Sequence, residues 1–211
     1  MTEGTIERVS LREALGAPAD PEFSLHLPPG WERRPVTDEE RDRLIAGTRK
    51  RLMEQHRPEL FGQIRASLLE AFANLARAGA VGYFAPAEDA PDAAFLPASL
   101  TASVLTPPVG LSMDEVVVSA IRERGATPLH GDKRFVRFEQ RQTLTEGTSR
   151  VVAGSVVYLT PIPGTARRRA LQLTLTLFWP AEGDDDAEEL RLLRALFDAC
   201  VSTLSWHAST D

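Results

Sequence analysis

The chain has 211 residues, 43% of them hydrophobic and 26% charged, a balance that fits one globular domain and excludes wholesale disorder. Its formal charge of -6 argues against sequence-independent binding to nucleic-acid phosphates and gives no basis for adhesion to an acidic membrane surface. One cysteine, Cys200, excludes an intrachain disulfide, and no window approaches the roughly 18 apolar residues of a spanning helix.

The first residues, MTEGTIERVSLREALG, mix both charges and lack an apolar stretch of signal-peptide length, so the expected compartment is the cytoplasm. Residues 1–20 have weak periodicity and end in Gly16-Ala17-Pro18; they read as an arm ahead of a single domain over 21–207, with 208–211 as a tail. Phe23, Leu25 and Leu27 alternate with Ser24 and His26, the period of a half-buried strand. Pro28-Pro29-Gly30 stops that strand, and Trp31 follows the turn. Thr37 with Glu40 three residues on has the form of a capping box, which predicts a helix from about 38 to 56. Its apolar content is thin, with Leu44, Ile45, Leu52 and Met53 among many charges. Pro58 breaks it. Phe61, Ile64, Leu68, Phe72 and Leu75 then stripe a second helix that stops at Gly79. Together 38–78 is expected to be a helical hairpin or one kinked helix.

Strands are predicted at 81–84 and 99–106, separated by a Pro- and Asp-rich loop over 86–97 that reads as mobile. Ser112 and Glu115 make a second capping box, opening a short helix with Val116, Val117, Ala120 and Ile121 that ends at Gly125. Next, Val136, Phe138 and Leu144 lie on one face of a strand, with Arg137, Glu139 and Arg141 on the other. Glu146-Gly147 turns the chain into a strand over 151–159, and Pro161-Ile162-Pro163-Gly164 turns it again. Leu171, Leu173, Leu175, Leu177 and Trp179 alternate with Gln172, Thr174, Thr176 and Phe178. Three strands joined by such short turns pair only as an antiparallel meander. Asp184-Asp185-Asp186 precedes a last helix whose stripe is Leu190, Leu193, Phe197, Cys200, Val201 and Leu204, with Trp206 capping its end. The sum is α+β: an antiparallel sheet of about six strands packed by four helices, one sheet face covered and the other partly open.

The segment Phe23-x-Leu25-x-Leu27-Pro28-x-Gly30-Trp31, the late meander and the terminal Leu204-Ser205-Trp206 resemble the Mog1/PsbP-like fold group, which includes the DcrB-type proteins. They also resemble actinobacterial proteins that open with a Leu-Pro-x-Gly-Trp segment. The resemblance implies a scaffold for binding or assembly, without a shared catalytic motif, so no functional residues carry over. The hairpin at 38–78 departs from the compact members and looks like an insertion.

No catalytic constellation stands out. His26, His56, His130 and His207 lack metal-ligand spacing, so each reads as a surface or hydrogen-bonded histidine. Cys200, on an apolar stripe, reads as a core residue. Phosphate-binding glycine loops and the Gly-x-Ser-x-Gly elbow are missing from the sequence, and the paired carboxylates at 114–115 and 184–186 fall where helix capping explains them. The one basic cluster is Arg167-Arg168-Arg169 with Arg150 across a hairpin, suited to an anion or an acidic partner, or to keeping strand edges apart. Trp31, Trp179, Tyr158 and Phe178 either line a groove on the polar strand face or belong to the core beneath the hairpin. The expectation is a non-enzymatic binding or adaptor protein, without catalytic residues, metal or cofactor, that docks a protein through the open sheet face and the hairpin. Trp31, Tyr158, Arg167, Arg168, Arg169 and Phe178 are its candidate interface. The partner is another protein or a second copy in a homodimer. The alternative is a carrier that holds an apolar small molecule between sheet and helices.

Overall fold

The strict alternation of the last third builds the centre of the molecule, a set of long antiparallel strands. The computed structural model describes residues 20–54, 56, 58, 61–87, 90, 91, 96, 98–146 and 149–207. The arm at 1–19, the tail at 208–211, most of the loop at 88–97 and the side chains of Leu144 and Arg150 lie outside the described residues. In chain order the elements are β1 (Glu22–Ser24), β2 (Trp31–Arg34), α1 (Asp38–Glu54), α2 (Phe61–Arg77), β3 (Ala80–Pro86), β4 (Ala98–Leu105) and α3 (Met113–Arg124). There follow β5 (Thr127–Leu129), β6 (Asp132–Glu146), β7 (Ser149–Pro161), β8 (Ala170–Pro180), α4 (Glu188–Ser202) and β9 (Ser205–His207).

Seven strands form one sheet in the order β2-β3-β4-β8-β7-β6-β5, with every neighbouring pair antiparallel. A separate two-stranded sheet joins β1 to β9. The expected α+β class and the β6–β7–β8 meander are both present, and 38–78 is a hairpin of two helices. Three short strands, β2, β5 and β9, were not foreseen. Elements of three or four residues carry too little alternation to be read before their partners are known. Trp206, expected to cap the last helix, instead sits in β9, with its ring edge-on to Phe23 at 5.9 Å.

Register decides which side chains share a face. Phe84, Leu100, Leu175 and Val156 form one row across β3, β4, β8 and β7, and Ala102, Leu173 and Tyr158 form the next. α4 covers these rows with Phe197 and Val201, which expose no surface. Each such side chain contributes roughly 1.5–3 kcal/mol when fully buried. The row Tyr83, Thr101, Thr174, Val157 and Phe138 belongs to the opposite face. There the hairpin packs one flank, with Phe72 edge-on to Tyr83 at 5.8 Å. On the other flank Ala120 of α3 joins Phe138, Val157 and Leu159 in a second apolar cluster. Thr101, Thr174, Thr176 and Ser155 remain half-buried between the two, as the partly open stretch.

Thus β6 turns its apolar side away from the leucine row of β8. The sequence reading gave the sheet one apolar and one polar face. The structure instead covers each face at different strands, because α3 and α4 lie on opposite sides.

Helix ends show where local rules were overruled. At α3 the capping box is complete: Ser112 Oγ accepts the Glu115 N–H at 3.2 Å, and the Glu115 carboxylate accepts the Ser112 N–H at 2.7 Å. Gly125, at φ 64°, closes the helix in the left-handed region. At α1 only half of the expected box forms. Thr37 Oγ1 accepts the Glu40 N–H at 3.2 Å, but the Glu40 carboxylate is drawn to Arg34, Arg43 and Tyr83. The run Asp184-Asp185-Asp186 does not cap α4, whose N-cap is Ala187 without a side-chain bond. Asp185 is taken instead by Trp179 and Arg141.

Candidate functional site

The chain has two tyrosines, and each ties a helix carboxylate to the sheet. On the hairpin face, the Tyr83 hydroxyl donates to Glu40 Oε1 at 2.7 Å, joined there by Arg34 Nη1 at 3.0 Å, while Arg43 Nε donates to Glu40 Oε2 at 2.9 Å. On the α4 face, the Tyr158 hydroxyl donates to Asp198 Oδ1 at 2.6 Å, joined by Arg137 Nε at 2.9 Å. Burial first, and the adjacent carboxylate second, push both phenols above their ordinary range. At Glu40 burial opposes ionisation, but hydrogen bonds from Arg43, Tyr83 and Arg34 outweigh it and hold the carboxyl below its usual range. Tyr158 is 1% exposed and Glu40 is buried, so these groups hold elements in place and do not face a substrate.

The candidate interface residues are not brought together. Trp31 is buried edge-on against Phe197 of α4 at 5.1 Å, and Tyr158 lies on that same covered face. Trp179 also faces α4, donating from Nε1 to Asp185 Oδ1 at 2.9 Å. Its ring lies over Gly154, where a β-carbon would fall inside it. Phe178 is on the other face and 45% exposed. The alternation along β8 thus separates Phe178 from the aromatics it was expected to join. Of the two readings offered for these aromatics, the groove does not form; Trp31, Tyr158 and Trp179 belong to the core, under α4 and not under the hairpin, and Phe178 stands apart from them.

Arg167, Arg168 and Arg169 occupy the turn between β7 and β8, where Ala166 and Arg167 have positive φ and neighbouring side chains splay apart. Arg169 pairs with Asp20 at 2.5 Å, Arg167 with Asp114 at 3.2 Å, and Arg168 Nε donates to the Thr165 carbonyl at 3.3 Å. The backbone of Arg150 is at the far end of β7, roughly 35 Å along the strand at about 3.3 Å per residue. The four arginines therefore make no single anion site. Nor do they guard an edge: β7 and β8 are interior strands, and the edges are β2 and β5.

The space between the sheet and α4, where an apolar cargo was the alternative, is filled by Leu173, Leu175, Phe197 and Val201. A cleft of about 240 Å³ beside it, near Glu139, Arg141, Trp179 and Arg194, is crossed by its own ion pairs. Arg141 meets Asp185, and Arg194 lies 3.6 Å from Glu139. Among the described residues no group of three or more His, Cys, Asp or Glu is placed to hold a metal. Cys200 is buried, and that burial raises its thiol pKa. Among the described residues no helix is long and apolar enough to cross a membrane.

A further concavity is on the hairpin. Asp42, Ile45, Arg49 and Met53 of α1 recur every three or four residues and face Phe61, Arg65 and Leu69 of α2, spaced by four. They line a groove of about 830 Å³. Its floor is apolar (Ile45, Phe61 and Leu69), and Met53 remains 46% exposed. Among the described residues, Arg41, Arg49, Lys50 and Arg65 stand around it against a single acid, Asp42. Arg41 is neutralised by Asp38 at 2.6 Å and Asp42 at 2.8 Å. Arg49, Lys50 and Arg65 have no carboxylate within salt-bridge distance among the described residues, and Arg49 leans over the Phe61 ring at 6.0 Å. The sequence reading pointed to the hairpin and named Ile45, Met53 and Phe61 only as apolar residues of its helices; it singled out none of the groove cations. The signal was the mixed apolar and basic stripe at helical spacing.

No protein-family model matches the chain, and no curated protein matches it. Among solved structures it is similar to LpqN of Mycobacterium tuberculosis, described as involved in cell envelope biogenesis. That similarity extends over 91% of this chain and 87% of LpqN, at 12% identity and a TM-score of 0.42. A likeness of that degree carries no functional inference.

Proposed function

We propose that this chain is a non-enzymatic binding protein that docks an acidic amphipathic helix of a partner protein in the groove between α1 and α2. The observation that carries the reading is the groove itself: an apolar floor rimmed by three cations that have no carboxylate within salt-bridge distance among the described residues, on a chain whose overall charge is -6. An incoming helix meets such a groove through apolar residues at i, i+3, i+4 and i+7, and acidic residues flanking that stripe reach the rim. The engaged, inward-facing tyrosine and carboxylate clusters favour binding over catalysis. The scaffold beneath is proposed to be Mog1/PsbP-like, on the Phe23–Trp31 segment and the meander that follows.

The test is fluorescence anisotropy with two labelled synthetic amphipathic peptides, one of Leu and Glu, the other with Lys at each Glu position. The Glu peptide is expected to bind, to weaken with added salt, and to lose at least about tenfold in affinity (about 1.4 kcal/mol) against the Arg49→Glu, Lys50→Glu, Arg65→Glu variant. That variant should take the Lys peptide instead. Equal binding of both peptides to the natural chain, or binding of neither, overturns the reading. Concentration-dependent self-association that blocks the groove would make a second copy the occupant and would also overturn it.

A further inference from the structure

We infer that the cleft beneath the paired strands β1 and β9 binds a small monocarboxylate with an apolar body, its carboxylate held by Arg33. The site is independent of the hairpin groove. It has a volume of about 200 Å³, about the space that six or seven waters occupy in the liquid. Val104, Leu171 and Ile162 form its floor, and Phe23 of β1 and Trp206 of β9 form its roof. Val81 supplies a wall.

The position of Arg33 is built by the backbone. Ala80 pairs with Ser103 and Gly82 with Ala102, so Val81 is an extra residue in a β-bulge. Its carbonyl is thereby free to accept from Arg33 Nη2 at 3.1 Å. The side chain passes across Gly82, where a β-carbon would come within 2.9 Å of Arg33 Nε. The guanidinium then lies 4.5 Å from the centre of the Phe23 ring, and its Nη1 makes a long bond of 3.5 Å to the Phe23 carbonyl. Carbonyls and a ring face orient this cation without neutralising it. Among the described residues no carboxylate is within salt-bridge distance of Arg33, and Glu22 acts on it only from farther away.

A guanidinium so placed presents its remaining N–H groups to two oxygens at once, the geometry a carboxylate matches. The apolar lining takes the rest of the molecule, and the volume limits it to the size of hexanoate or phenylacetate. Asp20 and Glu22 stand at the mouth. Asp20 is paired with Arg169, so the negative charge of Glu22 is what a second anionic group would meet. Dicarboxylates and phosphate are therefore disfavoured.

The experiment is a titration of the full chain with hexanoate, phenylacetate, succinate, inorganic phosphate and hexanol, following the indole N–H resonance of Trp206 by NMR. Saturable shifts with hexanoate or phenylacetate are expected, at least about tenfold tighter than with the other three probes. Arg33→Gln should weaken them at least about tenfold. Arg33→Lys, which keeps the charge and loses the fork, should weaken them several-fold and serves if Arg33→Gln fails to fold. The proposal is overturned if neither carboxylate saturates, if hexanol or phosphate binds equally well, or if both Arg33 variants bind as the natural chain does.

Discussion

Tyr158 and Tyr83 do at single-residue scale what the helices do at larger scale, fixing one face of the sheet to what covers it. Removing the Tyr158 hydroxyl leaves Asp198 with Arg137 alone in a buried setting. Tyr158→Phe is therefore expected to cost about 1–3 kcal/mol in urea unfolding. A cost under about 0.5 kcal/mol would mean that Arg137 alone suffices. The pH dependence follows from the raised phenols. In the folded chain both favour the neutral form, whereas in the unfolded chain they ionise near pH 10. Their contribution is thus fully present below about pH 10 and is lost progressively as pH rises above that value toward the raised native range. In an alkaline titration the phenolate absorbance should rise together with loss of the near-ultraviolet circular dichroism. A phenolate step near pH 10 with that signal retained would refute the assignment. On the acid side Glu40 is depressed, so its contribution is present above about pH 4.3 and is lost as pH falls below that.

At the scale of elements, the two ways a helix is held here predict different responses. α4 buries Phe197 and Val201 completely, whereas the hairpin buries Leu52, Phe72 and the Glu40 anchor and leaves much of α1 and α2 half-exposed. Phe197→Ala is expected to cost about 3–5 kcal/mol and to unfold the whole chain at lower denaturant. Phe72→Ala should mainly speed hydrogen exchange along α1 and α2 while the β7 and β8 amides stay protected. Equal acceleration across both regions would show that the hairpin is not a separate cooperative unit. Ser112→Ala, which removes a complete cap, should cost about 1 kcal/mol. The elements legible in the sequence were those whose signal is local: the alternation at 171–179, the Ser112 box with Gly125, and the stripe from Phe61 to Leu75. What was not legible depends on partners distant in sequence. Glu40 fits a capping box until Arg34 and Tyr83 are seen beside it. β6 and β8 each alternate cleanly, yet only register shows that their apolar sides face opposite ways.

For the whole molecule, the candidate sites were harder to read than the fold, for a related reason. Arg167, Arg168 and Arg169 attract notice because they are contiguous, and contiguity in a tight turn sends them to three different partners. The groove cations Arg49, Lys50 and Arg65 are spread over two helices and look like ordinary solvated charges until the hairpin closes. Arg33 is less visible still, since its setting depends on a glycine and a bulge in the next strand. Aromatic content was also a poor guide: Trp31 and Tyr158 are large because they fill the interior under α4.

The pairing of β1 with β9 sets the order in which the molecule is completed. Ser24 Oγ lies 2.7 Å from His207 Nε2, across 183 residues of chain. During synthesis the segment carrying Phe23 leaves the ribosome long before its partner strand exists. All seven strands of the large sheet have been made once Pro180 is added, and α4, which covers their leucine rows, follows at Glu188–Ser202, while β1 is still waiting. The clasp, and with it the roof over Arg33, closes only after Trp206 has emerged. A carboxylate bound in that cleft would therefore report that β9 has been made and paired, and a nascent chain stalled before Ser205 would lack the site.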